Sequence, residues 1–589
     1  MTFFGNPFVT RLNLFTTASP EHESTFDEFI AQANLPPEDR LQLDTRTKRF
    51  VVSCSQRPHP PSIILTGNAG DGKTYLCRQV IETFTGQPIV EWENNDLVFH
   101  KDGLALRVIK DLSEIGDVEG RSVLGDLQTS LEEQTADTVF LIAANEGRLR
   151  ALLSVPELKA LHQRIDQHLA KATVDDSDPL VILNLNQVTT SAYVQSTLSF
   201  FAAPRRWQVC ETCAAVSMCP IRFNRDHLAD PHISDRLHLL YQLLEYLEAH
   251  VTIRDMLIHL AYAITGGLTC ETVITRAELL EWEPQKYVYY ENVWATVAES
   301  ATRSKMAVAR HFQRLDIGNR ARFEADDFII NGAPEHPDIR AEHTRLFSPA
   351  IDFNNRQFAQ QRNDYLRGGA ESPDPDAQHP LLGWLPHCRR KLYFEWQDVE
   401  KANRLIPFVF FPDYLRLIGE EQIGALSRVA RDIVRGLNRA FSGLFVNLDE
   451  WLYVTSQYAH AVEQPVPVIR LKRSLDSVRL EVVRDTSEAF DRDWSVLRLK
   501  VHHPRTGEKD SISWEINLLR FEYLMRLAHG GTPNVLAEEC DLSIRQFKDR
   551  LLTEFGASSE YDGEIEFFSI DRNRYVVKQL QVAEGKIRA

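Results

Sequence analysis

Cysteine is scarce in this chain, with eight among 589 residues, too few to suggest a disulfide scaffold. Long apolar runs are lacking too, and none approaches the roughly 20 residues needed to cross a bilayer. The opening stretch, MTFFGNPFVTRLNLFTTASPEHES, has no basic region followed by an apolar core. No secretory signal is therefore expected, and the cytoplasm is the expected compartment. Positive charge is in deficit: 66 Lys and Arg stand against 83 Asp and Glu, a formal net charge of -17. No global field draws such a chain to nucleic acid or to acidic membranes, so any DNA contact requires a local basic patch. There is no internal repeat of fixed period.

What is present reads as globular protein, with 43% hydrophobic and 25% charged residues. The length calls for about three to five domains. Residues 1–50 are mixed and polar, a lead-in expected to pack on the next domain. Over 51–204 apolar strands alternate with helical stretches, the pattern of an α/β fold with a parallel sheet. The expected strands are Ser62–Thr66, Pro88–Trp92, Ala105–Lys110, Thr138–Ala144 and Leu180–Leu185. A cysteine-rich insertion (205–232) and a helical lid with its extension (233–366) come next. Residues 367–380, RGGAESPDPDAQHP, read as a linker. Beyond it lie a helical region (381–464), a β-rich region (465–514) and a C-terminal stretch (515–589) of helices and a hairpin. That last order is compatible with a winged-helix-like domain, for which protein docking is favoured over DNA because acids outnumber bases.

The sharpest signal is Gly67-Asn68-Ala69-Gly70-Asp71-Gly72-Lys73-Thr74, with Tyr75 directly after it. It lies between the end of a β-rich run and the start of a helical one. Glycines at this spacing let backbone N–H groups turn inward on an anion, and the helix N-terminus adds its dipole. Lys73 is expected to reach the β- and γ-phosphates of ATP, and the Thr74 hydroxyl to ligate Mg²⁺. Asp71 would repel phosphate unless its side chain faces away. Hydrolysis further needs a carboxylate near Mg²⁺ and a group that orients water. The strand LALRVIKDLSEI offers Asp111 for the first and Glu114 for the second. In TVFLIAANEGRLRALL an apolar strand ends at Asn145, whose amide suits both the γ-phosphate and the attacking water, or simply caps the next helix. Glu146 rivals Glu114 as the base. Arg254, near the start of a helix in HVTIRDMLIHLAYAITGG, either folds onto the γ-phosphate or forms a surface ion pair.

In this order the parts resemble an AAA+-type ATPase over about residues 55–270. With CETCAAVSMCP and LLRFEYLMRLAHGG added, the chain resembles the DptF-type ATPases of phosphorothioation-dependent restriction, a prokaryotic defence family. The resemblance implies nucleotide binding by Lys73 and Thr74, Mg²⁺ handling by Asp111 and γ-phosphate sensing by Asn145. It also implies an antiviral defence role beside other complex proteins and DNA, and a homo-oligomer. The acidic strand departs from an adjacent Asp-Glu pair, which leaves the base open. A nucleotide-gated scaffold with little hydrolysis is the alternative.

Cys210, Cys213 and Cys219 put three thiols in one short loop. Their spacing suits three corners of a Zn²⁺ tetrahedron, with His227, His232 and Cys270 as candidates for the fourth. Free thiols and an iron–sulfur cluster are the other readings. Finally, Arg428, Arg431, Arg435 and Arg439 fall on one face of a helix, a stripe suited to phosphates or to an acidic partner, or else a solvated face paired with nearby acids.

Overall fold

The computed structural model of the chain describes residues 5–15, 40–89, 92, 94–133, 137–170, 174, 177–277, 282–348, 353, 355–368, 379–419, 423–456, 467–484, 489–491, 495–503, 507–531, 538–556, 564–583 and 586–588. Two compact units emerge. One spans residues 1–245, 249–405 and 486–493, the other 246–248, 406–485 and 494–589. The division at 405 falls inside the helical region expected over 381–464, while the β-rich stretch apart from residues 486–493, and the C-terminal stretch, belong to the second unit.

In the first unit helix α1 (Pro7–Phe15) precedes an α/β layer. Its elements are β1 (Ser62–Thr66), α2 (Lys73–Thr85), β2 (Asp96–Lys101), β3 (Leu104–Ile109), β4 (Thr138–Ala144), α3 (Glu146–Leu153), β5 (Leu180–Asn184) and α4 (Ser191–Ala202). The five strands form one sheet in the order β2-β3-β4-β1-β5. β1 pairs in parallel with β4 and β5, and β3 in parallel with β4. Ile63 and Leu65 of β1 pack with Leu76 and Val80 of α2, whereas Ile64 packs with Leu149 and Leu152 of α3. Apolar layers on both faces explain why β1 and β4 are continuous apolar runs rather than alternating ones.

The expectation of a strand at Pro88–Trp92 is overturned for Pro88 and Ile89, which lie in no strand; Val90 and Glu91 are outside the described residues. Pro88 has no N–H for a ladder. The Ile89 carbonyl instead accepts Arg78 Nη1 at 2.7 Å, and the Trp92 ring lies against Arg78 and Lys110. The fifth strand is β2, antiparallel to β3. They are joined by Asp102 (φ 51°) and Gly103 (φ 83°), the pair of positive φ angles that a two-residue hairpin of native twist requires.

Next come α5 (Pro220–Leu228), a helix at Pro231–Tyr246, α6 (Ile253–Thr265) and α7 (Cys270–Ala277). Thr252 and Asp255 form a reciprocal capping box at the start of α6. Among the described residues, Ile253–Ala277 is the one stretch with an apolar window of membrane-spanning length, and 67% of that window is buried inside the protein. Of the expected linker, residues 369–378 lie outside the described residues.

The second unit is built on α8 (Ile423–Ser442), with β6 (Trp451–Thr455), β7 (Val468–Ser474), β8 (Val478–Arg484), β9 (Ser495–His503) and β10 (Gly507–Ile516). It ends with α9 (Leu518–Ala528), α10 (Glu538–Gly556), β11 (Glu564–Asp571), β12 (Arg574–Ala583) and β13 (Lys586–Arg588). β8, β9 and β10 form an antiparallel meander. The C-terminal hairpin does not stand alone, because β11 also pairs with β7 in a five-stranded sheet, β13-β12-β11-β7-β6.

Candidate functional site

The glycine-rich loop spans the gap between β1 and α2, at the sheet edge where the parallel strands end. Open α/β sheets bind ligands outside those carboxyl ends. Lys73 turns back across the loop, its Nζ donating to the carbonyls of Gly67 and Asn68, both at 2.8 Å. Burial holds its ammonium below the ordinary lysine value, against the opposing pull of Asp71 and Asp111. Asp71 is buried. One carboxylate oxygen accepts the Asn68 N–H at 2.5 Å and the other meets His250 Nε2 at 2.9 Å. The acid inside the loop is thus occupied by a loop amide and by a histidine far along the chain. His250 is held above the ordinary histidine value, chiefly by its hydrogen bond to Asp71.

A cavity of about 790 Å³ opens beside this loop. The stretch from Ala69 to Tyr75 lines it, together with Asp111, Glu114 and Arg254. Gly67 and Asn68 contribute the carbonyls that hold Lys73. Away from the loop the lining mixes apolar and aromatic side chains, Phe8, Phe15, Leu43, Phe200 and Phe201, with charged ones such as Arg11, Arg40, Arg78 and Glu82. Arg254 enters at the first turn of α6, where its N–H donates to the Gly70 carbonyl at 3.3 Å. Partial burial lowers its guanidinium from the ordinary value.

Asp111 and Glu114 sit just past β3 and share one organiser, Asn95, that no sequence motif marks. Asn95 Oδ1 accepts the Asp111 N–H at 3.2 Å, and Asn95 Nδ2 donates to Glu114 Oε2 at 2.9 Å. The Asp111 carboxylate also caps a short 3₁₀ turn by accepting the Ser113 N–H at 2.8 Å. Thr74 and Asp111 line the same cavity and supply the hard oxygen donors that Mg²⁺ prefers.

Asn145 stands at the tip of β4, between the strand leading to the loop and the strand leading to Asp111. Its Oδ1 accepts the Gly147 N–H at 3.0 Å, which is the capping role. Glu146 pairs with Arg150 at 3.1 Å. Neither Asn145 nor Glu146 lines the cavity.

The cysteine stretch folds as short turns ahead of α5. Cys210, Cys213 and Cys219 line a second, small cavity, and Cys270, at the start of α7, joins them there. His227 and His232 are engaged elsewhere. His227 Nδ1 contacts the Phe223 carbonyl at 2.9 Å while its ring stacks on Tyr289, and His232 Nε2 contacts the Trp396 carbonyl at 3.2 Å.

The arginine stripe on α8 is divided. Arg428 and Arg431 are exposed. Arg435 pairs with Asp432 at 3.0 Å and with Asp449. Arg439 donates to the carbonyls of Val446 (2.9 Å), Leu527 and Ala528 (3.2 Å), and burial lowers it from the ordinary value. Half of the stripe therefore serves packing within the second unit.

Comparison of the chain with protein-family models, curated proteins and solved structures gave no match.

Proposed function

We propose that the first unit binds ATP with Mg²⁺ in the 790 Å³ cavity and hydrolyses it. One observation carries this reading: Lys73, Thr74, Asp111, Glu114 and Arg254, drawn from separate segments of the chain, line a single cavity beside a glycine-rich loop. Lys73 and Arg254 would balance the charge of the β- and γ-phosphates. Thr74 and Asp111 would hold Mg²⁺, directly or through water, and Glu114 would orient the attacking water. The aromatic side chains in the lining, Phe8, Phe15, Phe200 and Phe201, would suit a base. The inward turn of Asp71 removes the objection that the loop carries an acid, because that carboxylate is already paired with His250. The strand order supports an AAA+-type reading, since the tips of β1, β4 and β3 are neighbours on one edge.

The biological setting we propose is a bacterial genome-defence complex acting on or near DNA, a reading that rests on the motif resemblance. A nucleotide-gated scaffold is the second reading. It is favoured by the use of the Asn145 amide oxygen as a helix cap, which takes up an acceptor that would otherwise face the attacking water.

ATP turnover of the full chain, measured with and without duplex DNA beside Lys73→Ala, tests the proposal. Turnover that Lys73→Ala lowers by about 100-fold or more is expected, on the scale of losing one group that stabilises developing charge. Full activity in that variant sinks it. ATP binding without turnover selects the scaffold.

A further inference from the structure

The cysteine-rich stretch lies outside the proposed nucleotide site, and the two cavities share no lining residue. Cys210 and Cys213 come from one turn, Cys219 from the N-cap of α5, and Cys270 from the start of α7. All four line one small cavity of about 30 Å³. All four are free thiols.

A second observation comes from α1. Asn6 is buried at its N-terminal edge and points two donors at sulfur: its backbone N–H to Cys270 at 3.4 Å and its Nδ2 to Cys210 at 3.3 Å. Donors aimed at sulfur are the outer-shell pattern that holds metal-bound thiolates in place. Arg222 lines the same cavity and would offset the negative charge that four thiolates leave on a divalent ion. The chemistry is selective. Four sulfur donors without a carboxylate suit a soft or borderline ion in a closed tetrahedron, leaving no open position for catalysis.

We propose that Cys210, Cys213, Cys219 and Cys270 form a structural four-thiolate zinc site, with Cys270 as the fourth ligand. Among the described residues no three metal-ligating side chains are already closed up as a cage. On binding, each thiol would lose its proton to solvent as its sulfur bonds the ion. The site ties three segments together: the start of α1 through Asn6, the turns before α5, and α7. Since α7 directly follows α6, which carries Arg254, zinc anchors the far end of the helical segment that reaches the glycine-rich loop.

The test is elemental analysis of the full chain purified without chelator, followed by cobalt substitution. One zinc per chain is expected, with a cobalt spectrum of four-thiolate type. Cys270→Ser and Cys213→Ser should each lose most of the zinc and lower the melting temperature. Should Cys270→Ser fail to fold, Cys270→His serves instead, retaining metal with a spectrum shifted to three sulfurs and one nitrogen. Wild-type protein without zinc, or with iron and acid-labile sulfide, overturns the proposal. So does a folded Cys270→Ser or Cys270→His chain with the wild-type cobalt spectrum.

Discussion

Asp71 Oδ1 and His250 Nε2 stand 2.9 Å apart, so the one acid in the glycine-rich loop is bonded from outside the loop. His250 is held above its ordinary value of 6.5, chiefly through this bond. A group whose folded value is raised contributes stability that is complete below the unfolded value and disappears as pH rises through the folded one. The stability difference between wild type and His250→Asn should therefore be largest below about pH 6.5 and should shrink as pH rises. Melting temperatures of both proteins across that range check this, and a difference that grows with pH contradicts it. On the proposed reading nucleotide affinity is expected to fall in parallel, because an unpaired Asp71 would present an uncompensated charge to the phosphates.

If the first unit hydrolyses ATP as proposed, Asn95 acts through Asp111 and Glu114 as a positioning residue. Asn95→Ala should lower kcat by about 10- to 100-fold, the scale of a misplaced reacting group. KM should change little, because the loop and Lys73 are untouched. Asn95→Asp, which keeps the acceptor for the Asp111 N–H but repels Glu114, is expected to be no better than the alanine variant. Steady-state kinetics of the two variants decide; a change confined to KM would assign Asn95 to binding.

A buried charge network in the first unit supplies a stability prediction. Arg390 donates to Glu291 at 3.0 Å and to Asp316, with His387 Nδ1 at 2.8 Å from Glu291. Burial alone would raise the Glu291 carboxyl, but His387 and Arg390 outweigh it and hold it at about 2. A depressed carboxyl contributes stability that is present above its unfolded value and is lost as pH falls through the folded one. Glu291→Gln should cost about 3 kcal/mol near neutral pH by leaving buried charge underpaired. The difference from wild type should narrow between about pH 4.5 and 2. Denaturant titrations at neutral and acid pH measure both effects.

The two halves of the arginine stripe should separate in experiment. Arg439→Ala should destabilise the chain by about 2 kcal/mol, since it strips charged donors from three backbone carbonyls. Arg428→Glu with Arg431→Glu should leave the melting temperature within a degree or two and weaken binding to duplex DNA in a salt-dependent way if this face takes phosphates. Unchanged DNA binding would remove the stripe from the interface.

The parts of the fold visible in the sequence are those whose cause is local. Ser62–Thr66 and Thr138–Ala144 match their expected bounds because both faces of each strand are apolar. The β2–β3 hairpin is hidden in the sequence although Asp102-Gly103 is a strong turn signal, because His100 and Lys101 before it are polar and the strand they end lies at the sheet edge. The site is legible where one segment carries it, as in the stretch from Gly67 to Thr74. It is not legible where partners meet across long separations, as with His250 and Asp71 or Asn95 and Glu114, and Cys270 could be named beside Cys210 only as one of three candidates. No periodicity links such pairs; only the folded chain does. The arginine stripe illustrates the converse. Its helical spacing is correct, yet spacing does not reveal that Asp449 and the carbonyl of Leu527 wait beside two of its members.

The bond from the Arg254 N–H to the Gly70 carbonyl has a mechanical consequence. Gly70 sits at φ 100°, and a Cβ there would come within 2.9 Å of Thr252 Oγ1 and 3.0 Å of Arg254 Cβ. Loop and helix are thus in backbone contact with no side chain between them to absorb slack. A ligand that spreads or tightens the loop must push directly on the first turn of α6, and whatever moves α6 must reshape the loop in return. Filling the cavity and tilting the helix are then coupled through that contact, and a partner that grips the helix would hold a handle on the loop end of the cavity.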